Sequence, residues 1–216
     1  MPRCLGAGTL LVLALGLTAC TGTPDSPEPT SPVVQLGAPG EPNRTLSPDE
    51  ADAIEAPGHT ELDVAFMRDM IHHHDQAIEM TALVEERTDS RDIRLLAERM
   101  SVSQQDERVQ MVTWMQDRGV PVNDAGHDGH RTDGSAMPGM LSDEQMAELE
   151  AATGADFDRL FLVSMIQHHE GAKQMVEELY AAGGGQESAT DTFARHVESD
   201  QGVEIARMQQ MLAERG

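Results

Sequence analysis

Residues 63–80 read DVAFMRDMIHHHDQAIEM, and residues 158–175 read DRLFLVSMIQHHEGAKQM. Aligned at an offset of 95, they agree at eight of eighteen positions: Asp, Phe, Met, Ile, His, His, Ala and Met. His73 and His74 thereby correspond to His168 and His169, and an acid follows each pair, Asp75 or Glu170. Repetition of this kind marks two copies of one supersecondary unit. Both copies put potential metal ligands where a hydrophobic core belongs.

Around both pairs the apolar residues recur at helical period. The first such segment runs from about residue 60 to 87, with Leu62, Phe66, Met70, Ala77, Met80 and Val84 on one face. Thr88-Asp89-Ser90 breaks it and offers an N-cap to a second segment, which carries Ile93, Leu96, Ala97, Met100, Met111, Trp114 and Met115 as far as about 118. Gly119-Val120-Pro121 stops that segment. Residues 123–139 read as a loop holding His127, His130 and the start of Met137-Pro138-Gly139-Met140. Ser142 opens a short helix, with Gln145 placed for a capping box. A third segment spans about 156–182 and ends at Gly183, Gly184 and Gly185; a fourth spans about 187–215, with Phe193, Val197, Met208, Met211 and Leu212 inward. No stretch alternates with period two, so no sheet is expected. Helices of about 27 residues are roughly 40 Å long. Short turns within each pair and a longer link between them predict an all-α four-helix bundle, built from two repeated antiparallel hairpins at about 60–119 and 156–216 with a loop and short helix as crossover.

The chain before the bundle reads differently. Arg3 precedes an apolar run from Leu5 to Leu17 that is too short to span a bilayer, and the run ends at Leu17-Thr18-Ala19-Cys20. Those residues resemble a bacterial lipobox, which implies a signal peptide over 1–19, lipid on the Cys20 sulfur, and a chain anchored on the extracytoplasmic face of a membrane. Residues 20–58 are rich in Pro, Thr and Ser and lack an apolar period, so they are expected to be a disordered tether to the 59–216 bundle. Cys4 leaves with the signal and a lipidated Cys20 cannot pair, which leaves neither disulfide nor thiolate ligand. The formal charge is −23, or −24 once Arg3 is removed. So acidic a chain repels nucleic acid and anionic surfaces and favours cations as partners. Fourteen Met stand against four Phe, one Trp and one Tyr. Methionine fills irregular helical cores, and its thioether is also a soft ligand for Cu(I).

At 100° per residue His73 falls in the middle of the apolar arc of its helix and His74 at its edge, while His72 and Asp75 turn away. In the repeat His168 and His169 take the same places, with Gln167 and Glu170 outward. The second helix of each hairpin interrupts its apolar stripe with Gln104 and Glu107, or with Gln201 and Glu204. His73 lies 16 residues before the turn at Asp89 and Glu107 18 after it; His168 lies 17 before Gly185 and Glu204 19 after. Those heights place His73 beside Glu107 and gather four histidines and two glutamates into one mid-bundle layer. Ala77 and Ala172, one turn below, leave room there. Such a layer is either a site for a metal cation or a polar network that satisfies itself and fixes helix register.

The chain resembles the domain-of-unknown-function family numbered 305. The resemblance is carried by Met70-Ile-His-His-His74 with Ala77 and Met80, by Met137-Pro-Gly-Met140 before Glu144-Gln145-Met146, and by Phe157-Asp-Arg-Leu-Phe161 through Met165-Ile-Gln-His-His169. It covers about residues 58–216 and implies a ferritin-like four-helix fold, an extracytoplasmic address and, in some members, copper binding. Ferritin-like di-iron sites use more carboxylates than this layer offers. Imidazoles of His73, His74, His168 and His169 with thioethers of Met70, Met165, Met111 and Met208 suit a copper ion better than iron, although another transition metal stays open. Glu107 and Glu204 would serve as supporting partners or further ligands, and Met137-Pro-Gly-Met140 as a path inward. Three functions follow: a lipid-anchored copper-binding protein for buffering, resistance or delivery; a metal-dependent redox enzyme; or a structural module with a metal-free polar layer.

Overall fold

The computed structural model describes residues 33–37, 40–53, 55–122 and 136–215. The signal peptide, Cys20, His127 and His130 lie outside the described residues. The chain divides into two units, residues 1–55 and 56–216.

In the first unit, β1 (Val34–Gln35) and β2 (Arg44–Thr45) pair antiparallel with Val34 opposite Thr45. Helix α1 (Pro48–Asp52) follows, started by a capping box between Ser47 and Glu50 and by proline in its first turn. The expectation of no sheet is corrected to that extent. Strands of two residues are too short to show any alternation, and the Ser47-Pro48-Asp49-Glu50 cap is a local signal that bulk composition hides.

The second unit holds α2 (Glu61–Ala82), α3 (Val84–Arg87), α4 (Arg91–Asp117), α5 (Asp143–Ala151), α6 (Gly154–Ala181) and α7 (Ser188–Ala213). The single segment expected over 60–87 is α2 and α3, divided at Leu83, whose N–H bonds to Met80 O three residues back at 3.3 Å. Thr60 and Asp63 close the capping box that starts α2. Ser90 precedes α4 in extended backbone, but its side chain makes no cap bond. Instead its N–H donates to Thr88 Oγ1 at 2.9 Å. Ser142 and Gln145 form the expected capping box of α5. Helix α4 packs on α2 and α7 on α6, and the two hairpins approach each other most closely along α2 and α6. This is the expected all-α bundle of paired hairpins.

The apolar faces bury two separate clusters. One holds Ala77, Met80, Met100, Phe157, Phe161, Met165 and Met208. The other holds Phe66, Met70, Met111, Trp114, Ala172, Met175 and Phe193. Polar ties join the hairpins at their ends: Gly185 N–H donates to Asp63 Oδ1 at 2.7 Å, and Glu187 accepts from Trp114 Nε1 at 2.8 Å and from the Arg118 guanidinium.

The crossover is docked, not draped. The Gln76 amide donates to Leu141 O at 3.0 Å and accepts Leu141 N–H at 2.8 Å, as a neighbouring strand would. Gly139, at φ 75°, lies against the backbone of Gly171 on α6. A Cβ on Gly171 would stand 2.2 Å from Pro138 O and 2.5 Å from Gly139 Cα, with backbone as the obstacle. Gly171→Ala is therefore expected to push the loop off α6 and lower the melting temperature by roughly 3–10 °C. Gly202→Ala, on a helical position where a Cβ meets nothing within 4 Å, should raise it by about 1–3 °C. Thermal melts of both variants check the contrast; equal shifts would show that the loop does not need the close approach.

Candidate metal centre

Between the two apolar clusters lies a layer drawn from all four long helices. Helix α2 supplies His73 and His74, α6 supplies His168 and His169, α4 supplies Gln104 and Glu107, and α7 supplies Gln201 and Glu204. None of the four imidazoles is more than 1% exposed. Their orientation follows from the helical arcs. The centre of the α2 stripe faces α6, so His73 meets the other hairpin; the edge of the stripe faces α4, so His74 meets its own hairpin partner.

His74 Nε2 donates to Glu107 Oε2 at 2.6 Å, and His169 Nε2 donates to Glu204 Oε2 at 2.6 Å. The two dyads are equivalents under the repeat. Since each carboxylate accepts, the proton sits on Nε2, and in the neutral ring the lone pair is on Nδ1. His73 Nε2 donates to the Pro138 carbonyl at 3.0 Å, which likewise leaves Nδ1 as its acceptor nitrogen. Burial, followed by the nearby His74, lowers the His73 pKa to about 3 against the opposing pull of the Pro138 carbonyl. His168 lies against His73 with ring centroids 3.8 Å apart and planes at 37°. Burial, then His73, holds its pKa well below the usual imidazole value, so it too is neutral.

The remaining ring nitrogens have no partners. Nδ1 of His73, His74 and His169, both ring nitrogens of His168, and Oε1 of Gln104 and Gln201 are buried without a hydrogen bond. Each such atom costs on the order of 1–3 kcal/mol. A self-satisfying polar network would not leave them so, whereas neutral imidazole nitrogens are the donors that copper and its neighbours in the transition series take. The donor set thus fits a transition metal. As the rings stand, however, no three His, Cys, Asp or Glu among the described residues converge on one point. The His73–His168 stack fills the centre, and coordination by three rings requires the stack to part.

Two expectations are corrected. Glu107 pairs with His74 and not with His73, because a residue at the edge of the stripe faces the adjacent antiparallel helix while the central residue faces across the bundle. Ala77 and Ala172 do not share one level: they belong to opposite apolar clusters, since α2 and α6 run in opposite directions through the layer. The four methionines are fully buried and flank the layer, Met70 and Met111 on one side, Met165 and Met208 on the other. His72 and Asp75 are partly exposed, Asp75 bound by Arg108 at 2.5 Å, and Gln167 and Glu170 are exposed. The sequence reading missed two participants. Pro138 reaches His73 across 65 residues, and only the Met-Pro-Gly-Met motif hinted at it. Asp200 lies close enough to the layer that, after burial, Glu107 raises its pKa, His196 opposes and Glu204 adds to the rise.

The family model for DUF305, a domain of unknown function, matches residues 63–212. Among solved structures, a DUF305 protein of Streptomyces coelicolor described as secreted is similar with a TM-score of 0.64 at 32% identity, over 72% of this chain and 94% of that one. A DUF305 fragment from Deinococcus radiodurans gives 0.64 at 29%, over 73% and 99%. CopM in its Cu(I)-bound form gives 0.56 at 25%, over 70% and 96%, and CopM is also solved with Cu(II), with silver and without metal. No curated protein matches the chain.

Depressed pKa values of His73 and His168 give the metal-free bundle a defined pH dependence. The unfolded chain takes up these protons first, so stability is full above the ordinary imidazole value of 6.5 and is lost as pH falls toward the folded values. Each ring contributes a slope of about 1.4 kcal/mol per pH unit in that window. His168→Phe should remove about one ring's share between pH 6 and 5. Urea unfolding of metal-free protein at several pH values measures it, and an unaltered slope would mean His168 is not held neutral.

Proposed function

This chain belongs to the DUF305 family, and we propose that it is a lipid-anchored, extracytoplasmic copper-binding protein that buffers or delivers the metal through the layer at mid-bundle. One observation carries the reading: neutral imidazole nitrogens from both hairpins are buried between two apolar clusters with nothing to accept their lone pairs. The copper-bound and silver-bound forms of CopM, at 25–26% identity, support copper as the metal. The likeness to a protein described as secreted supports the address. Among the described residues no helix is long and apolar enough to cross a membrane, so attachment in this reading rests on lipid at Cys20.

Each side chain then has a role. Nδ1 of His73, His74 and His169 and a nitrogen of His168 hold the metal. Met70 and Met111 on one side, and Met165 and Met208 on the other, supply thioethers for Cu(I). Glu107 and Glu204 act behind the imidazoles, fixing tautomer and ring direction through Nε2–H and raising the basicity of Nδ1. Pro138 O does the same for His73 without adding charge. The bound ion brings its affinity for soft donors and no reaction that these residues are arranged to assist.

Isothermal titration of the metal-free protein, with a chelator as competitor, tests the reading. Cu(I) or Cu(II) should bind below micromolar. His73→Ala, His74→Ala, His168→Ala and His169→Ala should each weaken binding at least tenfold, while His72→Ala stays within about twofold, and Glu107→Gln should cost about ten- to a hundredfold. Melting curves on the same samples separate lost ligands from lost fold. Failure to bind either ion below micromolar would overturn the function, and equal losses in His72→Ala and His73→Ala would move the site to the surface.

A further inference from the structure

The crossover meets the layer at the level of its central rings. On α2, Pro138 O accepts from His73 Nε2 at 3.0 Å. On α6, the same stretch of backbone is seated over the turn that carries His168. A Cβ on Gly171 would stand 2.2 Å from Pro138 O, and a Cβ on Gly139 would stand 2.6 Å from Gln167 O. Residues 137–141 therefore bridge α2 and α6 beside the His73–His168 stack, and each of those two histidines is only 1% exposed.

The hold on this segment is local. Met137 and Leu141 are buried at its two ends, while residues 138–140 between them are half-buried. Gln76, three residues after His73 on α2, gives its amide N–H to Leu141 O at 3.0 Å and takes Leu141 N–H at 2.8 Å. Gln167 adds a longer bond to Gly139 O at 3.4 Å. A segment secured by side-chain bonds of this kind can open without unfolding the helices it lies on. A second observation concerns the rings. As they stand, no three ligating side chains among the described residues converge on one point, and His73 is bonded to Pro138 with the His168 ring centroid 3.8 Å away. Lifting Pro138 frees Nε2 of His73 and uncovers the stack from the α2–α6 side. One motion thus gives the ring freedom to turn and gives its nitrogens a way to solvent.

Building on the copper-binding reading, we propose that residues 137–141 form a strap over the His73–His168 pair, that Gln76 clasps it shut, and that a copper ion enters and leaves the layer when the clasp is released. Gln76 is a positioning residue in this scheme. It acts through the crossover backbone and is not itself a ligand.

Two measurements on the full chain test the strap. In the metal-free protein, diethyl pyrocarbonate labels accessible imidazole nitrogens, and fragmentation in the mass spectrometer locates the label. Gln76→Leu keeps the bulk of the side chain and removes both bonds to Leu141. It should speed labelling of His73 and His168 about five- to thirtyfold, the loss expected for two hydrogen bonds, and that of His74 and His169 less than about twofold. Gly171→Ala crowds the strap from α6 and should act in the same direction. Gln105→Leu, whose exposed amide bonds Ser101 on α4, should label like the unsubstituted chain. With Cu(I) as the metal probe, both loading and transfer to a competing chelator should quicken in Gln76→Leu, leaving the dissociation constant within about threefold, because a lid slows traffic in both directions. Unchanged labelling of His73 and His168 in Gln76→Leu would overturn the strap. Equal acceleration at all four histidines would overturn it too, by reporting a loosened bundle. Selective labelling with unchanged copper transfer would put the path elsewhere and defeat the proposal as well. Absence of Cu(I) binding to the unsubstituted chain would instead defeat the copper-binding reading and the path with it, while the labelling would still report whether Gln76 clasps the crossover.

Discussion

A buried imidazole must find partners for two ring nitrogens, and the bundle is arranged around four rings that face this demand together. Three of the N–H groups are met by Glu107, by Glu204 and by the Pro138 carbonyl, which come from α4, α7 and the crossover. Each of those elements is thereby tied to the layer by a short polar contact that fixes its height and rotation. The other ring nitrogens are left over. Carboxylates in such a place are costly unless paired, and removing a ring would leave its glutamate without its imidazole partner. Function and register therefore depend on the same contacts.

The repeat is nearly two-fold, but a single chain has only one crossover. His74 and His169 have equivalent partners at the same distance. His73 and His168 do not: one is bound to Pro138 O, and the other has no hydrogen bond at either nitrogen. The Gly139–Gly171 approach is what lets the crossover reach in so far, for any side chain at 171 would meet its backbone. Of the two stacked rings, then, one is pinned by the crossover and its partner is not.

Much of this arrangement was legible in the residues. Helical period, the duplicated His-His pair and the paired Gln-x-x-Glu interruptions gave the bundle, its hairpins and the membership of the layer. Less legible was which histidine met which glutamate. His73 and His74 differ by 100° about one axis, and counting residues to a turn gives height but not azimuth. The error over Ala77 and Ala172 has a related source, since "one turn on" points in opposite directions along α2 and α6. Pro138 lies in a loop whose docking depends on two glycines far apart in sequence, a contact that no periodicity encodes. Asp200 sits one residue outside the inward arc, and its place beside the layer emerges only when two hairpins are set together. The β1–β2 pair and the cap of α1 are local, and they escaped because composition averages over them.

The layer sits between two apolar clusters, and the ends of the bundle carry their own polar ties, with Glu187 bridging Trp114 and Arg118 at one end and Arg215 reaching Ser90 at the other. Helices fray from their ends, and each cluster shields the middle from the fraying of the other. Amide hydrogens around His73, Glu107, His168 and Glu204 are consequently expected to exchange with solvent late. Exit of anything lodged among these rings would require the centre itself to open, and not merely the breathing of either tip. A ligand bound at the centre of such a protected region would be kept for long periods and given up only when a partner or a change of condition acted on that centre.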